Sequence, residues 1–198
     1  PGMTMDSIGS HIDRTQTWWN NGGKAWFKYL ARGSYLLQQG VPAADFLVHL
    51  GDVAPLRVGN ANNTSVPNGY GYDYTNTDVL VNRVSVKDGM LVLPEGTSYK
   101  ALHLYKTEYL HFKTLQRIKE LVAAGATVIG HRPKHVIGYS EWAKQNEFDH
   151  IVKLLWGSKE YEAPRLNRYK KGIVSSYSLE ESIDVLEMTP DLEINGEP

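Results

Sequence analysis

From about residue 24 to residue 39, Trp26, Phe27, Leu30, Tyr35 and Leu37 supply one apolar side of a 3.6-residue repeat, and Gly40 stands where a helix stops. The pattern predicts an amphipathic helix. Past Pro42 the period changes. Asp45-Phe46-Leu47-Val48-His49-Leu50 is short, largely apolar and closed by Gly51, which predicts a buried strand. Residues 55 to 75 carry no period and are rich in Asn, Gly, Pro and Tyr, so a long functional or flexible loop is expected there. A short helix is predicted over 76–83, with Asn76 or Thr77 as its cap. Asp88-Gly89 inside the apolar stretch 84–93 signals a hairpin.

The next segments read as one strand–helix–strand unit. A strand is expected over 99–105. The helix over about 109–124 is marked by Phe112, Leu115, Ile118, Leu121 and Val122, and Gly125 ends it before a strand at 126–129. A crossover of this length implies parallel pairing with a right-handed connection. Further helices are predicted over 141–156 and 179–186, with a strand at 173–176 between them. This alternation predicts an α/β fold with an open, mostly parallel sheet of the flavodoxin-like or doubly wound kind. Ligands in such sheets sit beyond the carboxyl ends of the strands, which here carry Gly51-Asp52, Lys106-Thr107-Glu108 and Gly130-His131-Arg132-Pro133.

Composition narrows the function classes. The chain has 198 residues, 41% hydrophobic and 22% charged, with a formal net charge of -1, so no bulk field points to nucleic acid or an anionic membrane. No apolar run is long enough to span a bilayer. There is no cysteine, which excludes disulfides, zinc–thiolate centres and cysteine nucleophiles. Pro1-Gly2-Met3-Thr4-Met5 lacks the pattern of a signal peptide, and both ends read as cuts within a longer chain.

Chemistry-bearing residues cluster in a few places. Gly9-Ser10-His11-Ile12-Asp13-Arg14-Thr15-Gln16-Thr17-Trp18-Trp19-Asn20-Asn21-Gly22-Gly23-Lys24 combines paired tryptophans with His11, Asp13 and Arg14. Such a loop can stack on a sugar ring and bond its hydroxyls; Trp18 and Trp19 equally suit core anchors at the start of a helix. Asp52 follows the buried strand and is placed as a general base or ligand-binding carboxylate, or else as a cap or turn residue. Tyr70-Gly71-Tyr72-Asp73-Tyr74-Thr75-Asn76 has the aromatic and planar polar groups of a carbohydrate site, or of a packed Tyr-rich loop. Gly130-His131-Arg132-Pro133-Lys134-His135 is a basic loop suited to an anion or simply to solvent. No metal spacing occurs among the seven His, and no GxGxxG, GxxxxGK[ST] or GxSxG motif is present.

Several of these segments, taken together and in order, resemble glycoside hydrolase family 106, the large bacterial α-L-rhamnosidases. They are residues 9–14 with 15–19, Tyr35-Leu36-Leu37-Gln38-Gln39-Gly40-Val41-Pro42-Ala43-Ala44-Asp45, Gly71-Tyr72-Asp73-Tyr74, Ser85-Val86-Lys87-Asp88-Gly89, Leu93-Pro94-Glu95-Gly96 with Ser98-Tyr99, and Gly125-Ala126-Thr127-Val128-Ile129-Gly130. Family members are far longer. The resemblance implies that residues 1–43 are the tail of a catalytic (β/α) barrel, and that 44–198 form a following domain similar in fold to class I glutamine amidotransferases. Without cysteine that domain cannot perform amidotransferase nucleophilic chemistry. The implied reaction is inverting hydrolysis of terminal α-L-rhamnosides, linked to calcium in the intact enzyme, with no cofactor expected in this segment. Asp52 is the candidate catalytic residue, although the family more often has Glu there. His11, Arg14, Trp18, Trp19, Tyr72 and Asp73 carry over as sugar contacts. The expected partners are a rhamnose-containing glycan and neighbouring domains of the parent chain, the expected location is the periplasm or beyond, and the isolated segment is expected to be inactive. Two other classes fit the residues: a non-catalytic scaffold or oligomerisation domain beside a barrel, and a free-standing flavodoxin-like binding protein, which the missing phosphate motifs disfavour.

Overall fold

The computed structural model describes residues 19–54, 66–105, 107–158 and 163–190. The chain divides into two compact units, Pro1–Val41 and Pro42–Pro198. In the first, Trp19–Gly23 forms a kinked turn in which Asn21 and Gly22 leave helical geometry. Helix α1 follows at Lys24–Leu37 and closes two residues short of the expected end, where the Gln38 N–H bonds back to the Ser34 and Tyr35 carbonyls. None of its side chains is buried: Trp26 is 53% exposed and Leu37 87%.

The second unit is built on a six-stranded sheet. Its strands are β1 (Phe46–His49), β2 (Tyr72–Thr75), β6 (Ala101–Leu104), β8 (Thr127–Ile129), β10 (Leu166–Tyr169) and β11 (Gly172–Ser175), in the spatial order β10-β11-β8-β6-β1-β2. All neighbours pair in parallel except the β10–β11 hairpin at one edge. The mostly parallel α/β architecture is therefore as expected. β1 lies between β2 and β6, with Phe46 opposite Tyr72 on one side and Ala101 on the other. Every residue of β1 is buried because both faces of the sheet are covered. Leu47 faces a larger core shared with α2 (Thr77–Asn82), α3 (Phe112–Ala124) and α4 (Gln145–Trp156), whereas Phe46 and Val48 face a smaller one closed by α5 (Leu179–Val185). Burying each such Leu or Phe contributes about 2 kcal/mol.

Several elements differ from the sequence expectation. The stretch read as a loop up to residue 75 ends in strand β2, whose alternation puts Tyr72 and Tyr74 against the smaller core. The expected strand at 99–105 is split: Ser98–Tyr99 (β5) pairs with β4 (Met90–Val92), while β6 starts at Ala101. The hairpin does form, between β3 (Ser85–Lys87) and β4, with Asp88 and Gly89 both at positive φ as its two-residue turn requires. Tyr109–Leu110 (β7) is not helical but pairs with His135–Val136 (β9), so α3 begins at Phe112. The helix expected from residue 141 is a tighter 3-10 turn over Tyr139–Lys144 before α4 proper. Strand β10 had no apolar alternation to signal it. Gly172 at the start of β11 is enforced by packing, since a Cβ there would collide with the carbonyl oxygens of Val122 and Ala126.

Candidate functional site

A buried polar network lies at the carboxyl end of β1. His49 ends β1 and is fully buried. Its Nδ1 accepts from the Gly51 N–H at 3.2 Å, so the remaining ring proton sits on Nε2 and points to Thr77 Oγ1 at 3.3 Å. The Thr77 hydroxyl in turn donates to Asp52 Oδ1. Burial pulls the His49 pKa down, and the nearby Asp52 carboxylate opposes that only in part. The imidazole is therefore neutral, as its acceptor role toward Gly51 requires.

Asp52 is the hub of this chain. Its side chain is 2% exposed. Oδ2 accepts from the His111 N–H at 2.8 Å and from the Thr114 hydroxyl at 2.7 Å, while Oδ1 accepts from Thr77. His111 caps α3 without using its own side chain, so Asp52 satisfies donors at that helix's amino end. Glu141, from the 3-10 turn, acts on the same helix end in a similar way. Its Oε2 accepts from the Phe112 N–H at 3.1 Å and lies 3.4 Å from His111 Nδ1. A general acid or base must present an oxygen to substrate. The Asp52 oxygens instead face donors from the start of α2 and the start of α3.

The other candidate residues do not converge on it. Tyr72 and Asp73 lie beside Phe46 and Leu47, at the amino end of the sheet, whereas Asp52 lies beyond its carboxyl end. Tyr72 and Asp73 also point to opposite faces of β2. The Tyr72 ring packs edge-on to Tyr74 at 5.4 Å, and Asp73 accepts from the Tyr99 hydroxyl at 3.0 Å. Burial, helped by the Asp73 carboxylate, pushes the Tyr99 phenol well above its ordinary range. His11, Arg14 and Trp18 lie outside the described residues, as does the Trp19 side chain.

Sequence reasoning missed His103. It lies on β6 between Val48 and Ile129, 7% exposed, and among the described residues neither ring nitrogen has a well-formed hydrogen bond. Burial pulls its pKa to about 4; the Ile129 carbonyl opposes this, and His131 adds to it. A His flanked by Leu102 and Leu104 gave no sequence signal other than strand alternation. Thr114 was also missed, and Thr77, expected only as an alternative cap, leaves that role to Asn76, whose side chain accepts from the Val79 N–H at 2.9 Å. No group of three His, Asp or Glu able to hold a metal occurs among the described residues.

A family model described as alpha-L-rhamnosidase, that of glycoside hydrolase family 106, matches residues 1–198. A curated protein of Formosa agariphila named "Putative beta-glucuronidase" is 34% identical over 164 residues, which span 79% of this chain and 13% of that protein. The solved rhamnosidase from Novosphingobium sp. PP1Y matches with a TM-score of 0.77 at 28% identity, over 94% of this chain and 18% of its own. The chain spans less than a fifth of either relative's length.

Proposed function

This chain belongs to glycoside hydrolase family 106, and from that premise we propose that it is one part of a larger hydrolase that removes terminal α-L-rhamnose from glycans. The match of the whole chain to the family model carries this reading, and the likeness to a solved rhamnosidase supports it. Inverting hydrolysis needs an acid and a base carboxylate separated by room for a water molecule. We place that pair in the parent's barrel, so the isolated chain is inactive. The three internal donors on Asp52 support a positioning role for it, holding α2 and α3 against the end of β1. The same observation favours a buttressing role for the whole second unit, in line with the scaffold reading.

The domain division follows the same proposal. Residues 1–43 are the tail of the barrel, and the exposed apolar side of α1 supports a neighbouring domain that covers it. Residues 44–198 are flavodoxin-like and similar to class I glutamine amidotransferases. Numbering the parallel strands β1, β2, β6, β8 and β11 from one to five gives the spatial order 2-1-3-4-5, which supports this. His11, Arg14, Trp18 and Trp19 remain the proposed sugar contacts. A single ring meets at most one of Tyr72 and Asp73, since they face opposite ways. Among the described residues no three acidic or imidazole side chains gather to hold a metal, and a calcium ion in the intact enzyme is proposed from the family alone. Export to the periplasm or beyond is proposed from the family.

The test is sugar release by the intact parent enzyme from aryl α-L-rhamnoside and aryl β-D-glucuronide, with and without Asp52→Asn. Rhamnose release by the wild type, with kcat/KM reduced less than tenfold in the variant, is the expected result. Release of glucuronic acid alone would move the substrate to the one in the Formosa relative's name. A loss of several orders of magnitude in a folded Asp52→Asn enzyme would make Asp52 catalytic.

A further inference from the structure

We propose that Tyr139 and Trp142 form an aromatic platform that binds an uncharged saccharide chain, at the carboxyl edge of the sheet and apart from the residues assigned to the terminal sugar. The choice of a saccharide rests on the family reading; the platform itself rests on geometry.

The two rings sit on a 3-10 turn, Tyr139–Lys144. In a 3-10 helix residues three apart lie one above the other, about 6 Å apart along the axis. Tyr139 and Trp142 therefore share one face of the turn, and they are 93% and 68% exposed. Glu141 and Lys144 share the next face, which is the fixed one. Glu141 takes the Phe112 N–H at 3.1 Å, and Lys144 Nζ lies 5.1 Å from the centre of the Phe112 ring. The turn is thus anchored to the amino end of α3 through one face while it presents two rings on another. A third aromatic lies in the same loop cluster: Tyr109, 43% exposed, has its ring centre 5.2 Å from that of His135.

The surroundings select the partner. Several charged groups near the turn are paired with each other. Lys134 meets Glu108 at 3.1 Å, and Glu141 lies 3.4 Å from His111 and 3.8 Å from Lys144. Such a surface offers ring faces and hydrogen-bonding groups without a strong field of either sign, which suits neutral hydroxyl-rich rings better than nucleic acid or a charged peptide. Among the described residues from 100 to 158, every large apolar side chain left exposed is aromatic. The exposed side of α1 differs, mixing Leu30, Leu36 and Leu37 with its aromatics. Anchored rings also lose little conformational freedom on binding.

The experiment compares the intact parent enzyme with Trp142→Ala and with the Tyr139→Ala/Trp142→Ala double variant. One arm measures kcat/KM on an uncharged rhamnose-capped tetrasaccharide and on an aryl α-L-rhamnoside. The ratio of the two values is expected to fall about tenfold in the double variant, the size of a lost aromatic contact. The second arm measures calorimetric binding of the same tetrasaccharide. Binding by the wild type that weakens in the variants upholds the platform even if no rhamnose is released, an outcome that sinks the rhamnosidase reading alone. An unchanged ratio with unchanged tetrasaccharide binding overturns the platform. So does a fall in melting temperature with the ratio held, which would make these rings a packing surface for another domain.

Discussion

At the scale of single residues, the second unit depends on two buried histidines of opposite circumstances. His49 has both ring nitrogens engaged, whereas His103 has no well-formed hydrogen bond among the described residues. Both are held neutral by burial. A histidine whose folded pKa lies below its unfolded value near 6.5 costs nothing above that pH and destabilises the fold as pH falls toward the folded value. For His103 that window runs from about 6.5 down to about 4 and amounts to about 3 kcal/mol. Denaturant unfolding between pH 7 and pH 4 is expected to show this loss. His103→Leu should flatten its slope, whereas Lys113→Ala, on the surface of α3, should not. Asp52→Asn is expected to cost about 2–4 kcal/mol at pH 7, because an amide cannot serve the donors of Thr77, His111 and Thr114 at once. None of this network was legible in the sequence. Asp52 stood out by position, but its partners Thr77 and Thr114 are 25 and 62 residues away, and no local pattern announces a contact made by the fold.

Elements were legible where one physical requirement dominated. The apolar stretch Phe46–His49 could be only a strand covered on both faces, and Asp88-Gly89 could be only a hairpin turn, because both of its residues take positive φ. Edge elements carried weaker signals. β2 has one polar face and sits in a Tyr- and Gly-rich context, and β10 reads Leu-Asn-Arg-Tyr with no apolar alternation. The turn after β10 places Lys170 rather than Gly or Asn at positive φ, so the usual turn signal is missing. Gly172 makes the opposite point: an ordinary-looking glycine is fixed by the approach of β11 to the end of α3. Gly172→Ala is expected to cost about 3 kcal/mol and to lower the melting temperature by several degrees, measured calorimetrically. A Gly33→Ala change in α1, where a Cβ meets nothing within 4 Å, should leave the melting temperature unchanged or raise it slightly.

At the scale of the whole molecule, the layered α/β plan follows from the alternation of elements, but the strand order does not follow from their sequence order. β1 comes first along the sheet-forming chain and ends in its interior, between two strands made later. Asp45, just ahead of β1, is held by Lys100 at 2.6 Å across 55 residues of chain. During synthesis at roughly 5–20 residues per second, β1 leaves the ribosome some 3–10 s before the strand that will cover its second edge. For that interval Phe46-Leu47-Val48 is a fully apolar ribbon with no partner on that side. A pause in translation between residues 50 and 100 is therefore expected to lengthen the exposure of this ribbon, a change that yield of soluble protein with slow codons placed there would report.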